Sequence, residues 1–245
     1  MAKRKLRAAP TLVSVSDNTI NFNSYVEQRR KPIQLIPKSL TQETYIDMLL
    51  DETKNIVFAT GPAGTGKTML AMLAGIKAFK EGDVSKLILT RPAVGADDEK
   101  HGFLPGDINA KMEPWVTPLF DVLHEYYNPK DTARMLDEKQ IEIAPLAFLR
   151  GRNLKNAFII CDEMQNASTN QMKMVLTRLA ENSKMVITGD LNQMDRKFTH
   201  DNGLMDFIGR LTGSGSKSIS HVTFGIRDVQ RHPTVAEVLR LYGEE

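Results

Sequence analysis

The chain has 245 residues, 41% of them hydrophobic and 25% charged, with a formal net charge of +2. This composition can form a core, which excludes an intrinsically disordered chain, and the small net charge excludes a protein whose whole surface binds a polyanion. The single cysteine, Cys161, excludes an internal disulfide, and no apolar stretch is long enough to cross a bilayer or to act as a signal peptide. The length suits one α/β domain, and we expect a cytoplasmic protein without a membrane partner.

Most of the positive charge lies in the first 38 residues. They contain eight Lys or Arg and two acids, Asp17 and Glu27, a local charge of +6 that leaves −4 for the remainder. Prolines interrupt this segment, so we predict a basic, partly disordered N-terminal arm over 1–38, with a short strand at "TLVSV", followed by a single domain over 39–245. The run "MAKRKLR" has two interpretations, a solvated terminus or a tail that contacts a phosphate backbone, and the sequence leaves both open.

Short apolar runs alternate with amphipathic segments along the domain. In chain order they predict a helix over 39–53, a strand over 55–60, a helix over 68–82, strands over 86–92 and 156–163, a helix over 168–182, strands over 184–190 and 219–225, and a final helix over 232–245. Ser39 or Thr41 can cap the first helix, and Ser168 the third. Apolar strands that alternate with helices are typical of a parallel sheet covered on both faces, which predicts an α/β fold. The Gly/Ser-rich stretch 212–218 is predicted to be a flexible loop.

A glycine-rich segment between the first strand and the second helix fits the pattern G-x-x-x-x-G-K-[ST]. Its residues are Gly61, Pro62, Ala63, Gly64, Thr65, Gly66, Lys67 and Thr68. In such a loop the backbone N–H groups and the helix N-terminus surround phosphate oxygens, the lysine adds a full charge, and the Thr68 hydroxyl ligates Mg²⁺. The alternative is a glycine-rich turn with a chance Lys-Thr pair. The strand before the segment and the helix after it favour the phosphate loop.

Two adjacent acids, Asp162 and Glu163, follow the apolar strand "FIIC". The carboxyl end of a strand in a parallel sheet faces the crevice beside a phosphate loop, so Asp162 is a candidate to hold Mg²⁺ through water. Glu163 is a candidate to orient or deprotonate an attacking water. A single acid in this place is more often a cap or a turn residue. The pair favours ATP hydrolysis over a small-molecule kinase.

Further polar side chains follow the predicted strand ends. "TGDLNQMD" offers Asp190 and Gln193, and Gln165 lies two residues beyond Glu163. Amides beside a γ-phosphate can sense whether it is present and pass the difference to a bound partner. The alternative for each glutamine is an ordinary exposed turn residue.

Beside "GPAGTGKT", "DEMQN" and "TGDLNQMD", the chain contains "LTRPAV", "GFLPGD", "IAPLAFLRGR" and "DVQRHPTV". In these motifs, and over about residues 38 to 240, it resembles the PhoH family, single-domain ATPases related to the cores of superfamily 1 helicases. Cys161 and Met164 depart from the usual family pattern around the paired acids. The resemblance implies a RecA-like P-loop NTPase core that uses ATP and Mg²⁺. Some members add a nuclease domain, which the short arm of this chain does not imply.

The resemblance also assigns roles to two residues outside the phosphate loop. Gln42 matches a glutamine that contacts adenine in related helicases, although a lone glutamine there is more often an exposed helix residue. Helicases of this kind complete their site with an arginine from a second domain, for which this chain has no room. We therefore expect Arg231, or failing that Arg227, to act as an arginine finger in a neighbouring subunit of a homo-oligomeric ring, with six subunits as the family-based number.

Three arginines and the 90–120 insertion are the candidates for nucleic-acid contacts. Arg91, Arg150 and Arg152 lie at strand ends or loops where they could contact a phosphate backbone. The insertion 90–120 adds Lys100, Lys111, Phe103 and Trp115, and the aromatic side chains could stack on single-stranded bases. The insertion is net acidic, however, and Trp115 between two prolines is more typical of packing or of a subunit contact.

Three functional hypotheses remain at this stage. The first is Mg²⁺-dependent ATP hydrolysis coupled to binding or remodelling of nucleic acid, with single-stranded RNA favoured over DNA, by a helicase-like ring. The second is an ATP-gated assembly protein without motor activity, and the third is a small-molecule kinase. Stimulation of ATP hydrolysis by single-stranded RNA or DNA distinguishes the first hypothesis from the second.

Overall fold

The computed structural model describes residues 32–92, 120–193, 201–230 and 234. The predictions that fall outside these residues are the basic arm up to residue 31 with its strand at "TLVSV", most of the 90–120 insertion, Arg231, and the final helix over 232–245 apart from Thr234, which is helical.

The strands of the described chain are β1 (Ile56–Thr60), β2 (Lys86–Arg91), β3 (Ile141–Pro145), β4 (Ala157–Cys161), β5 (Lys184–Gly189) and β6 (Ile219–Thr223). They form one sheet in the order β3-β2-β4-β5-β1-β6, and every neighbouring pair is parallel. β1 and β4 are buried along their whole length, as the apolar runs predict. The predicted α/β fold with a parallel sheet is therefore confirmed.

The helices of the described chain are α1 (Leu40–Leu50), α2 (Lys67–Glu81), α3 (Pro129–Asp137), α4 (Thr169–Leu176) and α5 (Gly203–Leu211). Residues 120–124 are also helical, and 3-10 turns cover Leu146–Leu149, Met164–Asn166 and Ile226–Asp228. Ser39 caps α1 by accepting from Gln42 N, and Ser168 forms a capping box with Gln171 at α4, in agreement with the predicted caps.

Apolar side chains cover both faces of the sheet. One core contains α1, α2 and α3 side chains such as Tyr45 and Ile76, packed on residues of the central strands. The other core contains α4 and α5 side chains such as Val175 and Leu204, packed on the opposite face. Within the described residues, no helix combines the length and the apolar character that crossing a bilayer requires.

Four elements differ from the sequence prediction. β3 was not predicted, because it is an edge strand whose pattern is only partly buried and which ends in Pro145. α3 and α5 were not predicted either, and α5 contains two glycines, which lower helix propensity. α4 ends at Leu176, not near residue 182, because Leu179 pairs with Leu154 and the chain returns to the sheet.

This topology places the predicted site at the carboxyl ends of the central strands of the sheet. β4, β5 and β1 are neighbours in the sheet and run in the same direction. Their carboxyl ends therefore lead into Asp162–Glu163, Asp190 and the phosphate loop side by side, the arrangement in which open α/β sheets bind ligands.

Candidate active site

The phosphate loop runs from the end of β1 to the start of α2, and its glycines have conformations that other residues rarely adopt. Gly66 is the N-cap of α2 with φ of 83°, and Gly64 has φ of 82°. Gly61 has φ of 133°, and a Cβ on it would lie 2.3 Å from the carbonyl oxygen of Phe224. Only glycine fits there, and the tight path directs the N-terminus of α2 into the site.

Lys67 is buried against the loop, with 8% of its surface exposed. Its ammonium donates to the carbonyl oxygens of Gly61 at 2.6 Å and Pro62 at 2.7 Å, and to Thr65 Oγ1 at 3.3 Å. Burial lowers the pKa of Lys67, and nearby carboxylates oppose that effect. An ammonium has three N–H donors, so a phosphate that binds Lys67 must take the place of these loop oxygens.

Asp162 and Thr68 lie together, although 94 positions separate them. The Thr68 hydroxyl donates to Asp162 Oδ1 at 2.8 Å, and the Thr188 hydroxyl donates to the same oxygen at 2.6 Å. A hydroxyl and a carboxylate oxygen are the hard donors that Mg²⁺ takes from proteins beside phosphate oxygens and water, so this pair fits the predicted metal site. Within the described residues, no group of three or more His, Cys, Asp or Glu side chains is arranged to hold a metal ion. Thr188 was not predicted, although its position at the end of β5 could have indicated it.

Glu163 has left-handed backbone angles, φ 54° and ψ 38°. Its carboxylate accepts from Gln165 Nε2 at 2.5 Å through Oε2, and Oε1 lies 4.0 Å from a guanidinium nitrogen of Arg91. The general-base role of Glu163 stays a prediction. Arg91, predicted from sequence as a nucleic-acid contact, lies at the end of β2 beside this carboxylate.

The two predicted sensor glutamines have different surroundings. Gln165 is 1% exposed, and its Oε1 accepts from Asp190 N at 3.1 Å, so it is not an ordinary exposed turn residue. Gln193 is exposed in the turn after β5, where its backbone N–H donates to Asp190 O at 3.0 Å. Asp190 itself is 6% exposed, and Oδ1 accepts from the N–H of Asn192. Whether either glutamine senses a γ-phosphate stays a prediction.

Gln42 is buried against the phosphate loop. Its Nε2 donates to the carbonyl oxygen of Thr65 at 3.0 Å, and its Oε1 accepts from Lys38 N at 2.7 Å. Only 4% of the residue is exposed, so the alternative of an exposed helix glutamine is wrong. An amide has a second N–H and a second acceptor position, and the adenine contact predicted for Gln42 needs both of them.

The segment before Arg231 also contacts the phosphate loop. Gln230 N donates to the carbonyl oxygen of Gly64 at 2.8 Å. Asp228, which is 7% exposed, accepts from the N–H of Gly225 at 2.8 Å. Burial raises the pKa of the Asp228 carboxyl, but hydrogen bonds from Ser39, from Gly225 N and from Thr41 outweigh it and hold the pKa below its ordinary value.

This connection ties the start of α1 to the 226–230 segment, so Asp228 is a positioning residue that sequence reasoning missed. Arg231 lies outside the described residues, and Arg227 is exposed.

The other predicted nucleic-acid arginines differ in exposure. Arg152 forms a two-nitrogen ion pair with Glu142, in which Nη2 donates to Oε2 at 2.8 Å. The hydrogen bond from Arg152 is the main reason why the pKa of Glu142 is lowered. Arg150, by contrast, is exposed beside Phe148, whose side chain is also largely exposed. Of these two arginines, Arg150 is the better placed for a phosphate backbone.

Comparison with known proteins shows the family to which the chain belongs. The family model described as PhoH-like protein matches residues 34–243 of this chain. The chain belongs to the PhoH family. A PhoH-like protein of Bacillus subtilis (strain 168) is 43% identical over 91% of the chain, and one of Synechocystis is 41% identical over 84%. Protein PhoH of Escherichia coli K12 is 38% identical over 78%.

The chain spans only part of the length of these PhoH relatives. It spans 69% of the Bacillus subtilis protein, 61% of the Synechocystis protein and 54% of the Escherichia coli protein. Solved structures include a DUF1998 helicase MrfA bound to DNA, at 14% identity and TM-score 0.45, covering 76% of this chain and 27% of that one. A Pif1 helicase from Candida albicans matches at 13% identity and TM-score 0.40, covering 84% and 44% of the two chains. The PhoH family and the P-loop fold support a nucleotide-dependent activity.

Proposed function

We propose that this PhoH chain hydrolyses ATP with Mg²⁺ and couples hydrolysis to a nucleic acid. The observation that carries the proposal is the contact between Thr68 and Asp162 at 2.8 Å, beside a lysine-containing phosphate loop. A structural glycine turn with a chance Lys-Thr pair does not need this hydroxyl beside a strand-end carboxylate. A nucleotide site with a metal does.

The nucleotide's phosphates would bind between the loop and the N-terminus of α2. Backbone N–H groups and the helix dipole would stabilise the phosphate charge. The Lys67 ammonium would replace its hydrogen bonds to the loop oxygens with hydrogen bonds to oxygens of the β- and γ-phosphates. Thr68 and Asp162 would hold Mg²⁺, which when bound neutralises charge on the phosphate oxygens.

Glu163 would act on the attacking water. The water oxygen forms a bond to the γ-phosphorus while the bond to the β,γ-bridging oxygen breaks, and that electron pair leaves with ADP. The proton of the water passes to the carboxylate of Glu163. Gln193 lies in the turn after the neighbouring strand, where it could report the state of the γ-phosphate.

The nucleic-acid partner is proposed from the family resemblance and from exposed cations. Arg150 is exposed, and Arg91 is partly exposed at the sheet edge that carries the site. Arginine at such places suits phosphate-backbone contacts, which give no sequence preference. Single-stranded RNA or DNA is therefore the partner class to test.

A homo-oligomeric ring, with six subunits as the family-based number, would complete the site with Arg231 of a neighbouring subunit. An arginine that reaches the transferred phosphate is worth about 10³–10⁵ in rate, so a single subunit would be slow alone. The alternative is an ATP-gated assembly protein, in which the ring state itself is the output. In that case ATP changes the size of the particle and RNA does not change the rate.

The experiment is steady-state ATP hydrolysis by the full chain, with and without single-stranded RNA. Lys67→Ala should abolish nucleotide binding, whereas Lys77→Ala, at a partly exposed lysine of the same helix in an ion pair with Glu81, should behave as wild type. Glu163→Gln should bind ATP without turnover, with Glu81→Gln as its matched control. Hydrolysis that survives Glu163→Gln contradicts the assignment of the base. Hydrolysis that RNA and DNA both leave unchanged supports the assembly alternative.

A further inference from the structure

The carboxylate of Glu163 has a different partner on each oxygen. Gln165 donates to Oε2 at 2.5 Å, and the guanidinium of Arg91 lies 4.0 Å from Oε1. The two partners come from different parts of the chain, Gln165 from the 3-10 turn after β4 and Arg91 from the end of β2.

Gln165 is the fixed partner. Its Oε1 accepts from Asp190 N at 3.1 Å, and its backbone oxygen accepts from Asn202 Nδ2 at 2.6 Å. A Cβ on Gly189 would lie 2.9 Å from Gln165 Oε1, so the amide packs directly on the backbone of β5. A glutamine that is 1% exposed and bonded in this way cannot move without breaking several contacts.

Arg91 is the exchangeable partner. One third of its side chain and a similar fraction of the Glu163 side chain are exposed, at 33% and 36%. An ion pair at this distance and exposure is worth roughly 0–1 kcal/mol. A phosphodiester offers the same guanidinium two oxygens in a bidentate geometry, which is the stronger of the two interactions.

The position of Arg91 matters for the chemistry because Glu163 must accept a proton from water. Gln165 occupies a lone pair of Oε2 with a hydrogen bond, and the guanidinium, at 4.0 Å, attracts the negative charge on Oε1 without a hydrogen bond. They also fix the carboxylate in one orientation. When Arg91 turns to another anion, Oε1 becomes available to water while Gln165 still holds the side chain.

We propose that Arg91 restrains Glu163 and releases it when a nucleic-acid phosphate binds the guanidinium. Arg91 is then a positioning residue that couples occupancy of the nucleic-acid surface to hydrolysis. The inference rests on the proposed function, since it needs a chain that hydrolyses ATP through Glu163. It differs from a simple binding role for Arg91, which predicts no change in the rate without nucleic acid.

The test is the ATPase rate of Arg91→Ala in the full chain, at saturating Mg²⁺ and ATP, with and without a single-stranded oligouridylate. We expect the rate without RNA to rise by about fivefold, the rate equivalent of ~1 kcal/mol, which is the upper end for an ion pair of this exposure. We also expect the ratio of stimulated to unstimulated rate to fall towards one. Arg91→Lys keeps a cation but loses the bidentate geometry, so its rate without RNA and its stimulation by RNA should lie between those of wild type and Arg91→Ala.

Matched controls separate this effect from a general loss of structure. Arg134→Ala removes an arginine of α3 that is paired with Asp131 at 3.7 Å, and it should leave both rates unchanged. Arg91→Ala combined with Glu163→Gln should be inactive, because the increase passes through Glu163. Loss of an ion pair worth ~1 kcal/mol lowers the unfolding midpoint of a chain of this size by about 2–4 °C, so the midpoint of Arg91→Ala should stay within that range of wild type.

Two results overturn the inference, and a third overturns the function on which it rests. If Arg91→Ala hydrolyses ATP at or below the wild-type rate without RNA, Arg91 does not restrain Glu163. If the rate rises but RNA still stimulates it by the wild-type factor, nucleic acid does not act through Arg91. If wild type itself hydrolyses no ATP, the proposed function fails and the inference fails with it.

Discussion

The hydroxyl of Thr188 donates to Asp162 Oδ1 at 2.6 Å, so the end of β5 orients the carboxylate that follows β4. Thr68 donates to the same oxygen from the phosphate loop. One carboxylate oxygen thus connects three separate segments of the chain, and its orientation depends on Thr188, which is not a proposed metal ligand, as well as on Thr68.

Thr188→Val should weaken the metal site. Valine keeps the shape of threonine but cannot donate, so Asp162 loses one of the bonds that orient it. Residues that orient metal ligands typically change metal affinity by about 10–100-fold. We expect the Mg²⁺ concentration for half-maximal ATP hydrolysis to rise by about 10-fold, measured by titrating Mg²⁺ at fixed ATP.

Thr90→Val is the matched control for this prediction. Thr90 is also a buried threonine of a strand at the same sheet edge, but its Oγ1 has no hydrogen-bond partner among the described residues. Its replacement by valine should leave the Mg²⁺ requirement unchanged, because it removes an unsatisfied hydroxyl. Equal Mg²⁺ requirements for Thr188→Val and wild type contradict the orienting role of Thr188.

Gly61→Ala should destabilise the fold more than alanine at other glycines with positive φ. The added Cβ would lie 2.3 Å from the carbonyl oxygen of Phe224, and φ is 133°. The clash and the backbone strain together should cost about 2–4 kcal/mol in the free energy of unfolding. At Gly82, φ is 85° and no atom lies within 4 Å of the built Cβ, so Gly82→Ala should lose only about 1 kcal/mol. Urea unfolding measures both, and equal losses contradict the close approach of β6 to the loop.

The same glycine shows what the sequence could predict. The spacing of Gly61, Lys67 and Thr68 after an apolar strand predicts the loop, because local geometry alone requires those residue types. The contact of Gly61 with Phe224 could not be predicted, since it depends on β6 pairing with β1 across more than half of the chain. Thr188 and Asp228 were missed for the same reason. Their roles come from partners that are distant in sequence, and threonine and aspartate at strand ends and turns are common for other reasons.

Asp228→Ala should loosen the connection between α1 and the 226–230 segment. Asp228 accepts from Gly225 N and contacts the hydroxyls of Ser39 and Thr41, and Ala leaves these donors without an acceptor. Loss of a hydrogen-bonded buried carboxylate typically costs about 1–3 kcal/mol. Asp228→Asn, which keeps one acceptor oxygen, should recover part of that stability in urea unfolding at neutral pH.

The effect of Asp228 should also depend on pH. Its pKa in the folded chain is lower than the ordinary value of 3.8, so the unfolded chain binds the proton more readily. The stabilisation is therefore complete above the ordinary pKa and is lost as the pH falls through the folded value. The difference in unfolding free energy between wild type and Asp228→Asn should shrink below pH 3.8. A constant difference across that range contradicts a charged Asp228 in the fold.

Gln42→Ala should separate the two roles of this side chain. In the structure, one N–H of the amide holds the carbonyl of Thr65 and one acceptor position takes the N–H of Lys38, so loss of the side chain disturbs the phosphate loop for any nucleotide. The remaining N–H and acceptor position match the N7 and N6 groups of adenine and not the O6 and N7 groups of guanine. We therefore expect the affinity for ATP to fall by about 10–100-fold and the affinity for GTP to fall less, since a bidentate amide contact is worth about 1–3 kcal/mol beyond the loop effect.

Equilibrium binding of both nucleotides to Gln42→Ala and wild type measures this difference. Gln140→Ala, at a partly buried glutamine before β3, is the control. Equal losses for ATP and GTP would restrict Gln42 to holding the loop and leave adenine recognition to other residues.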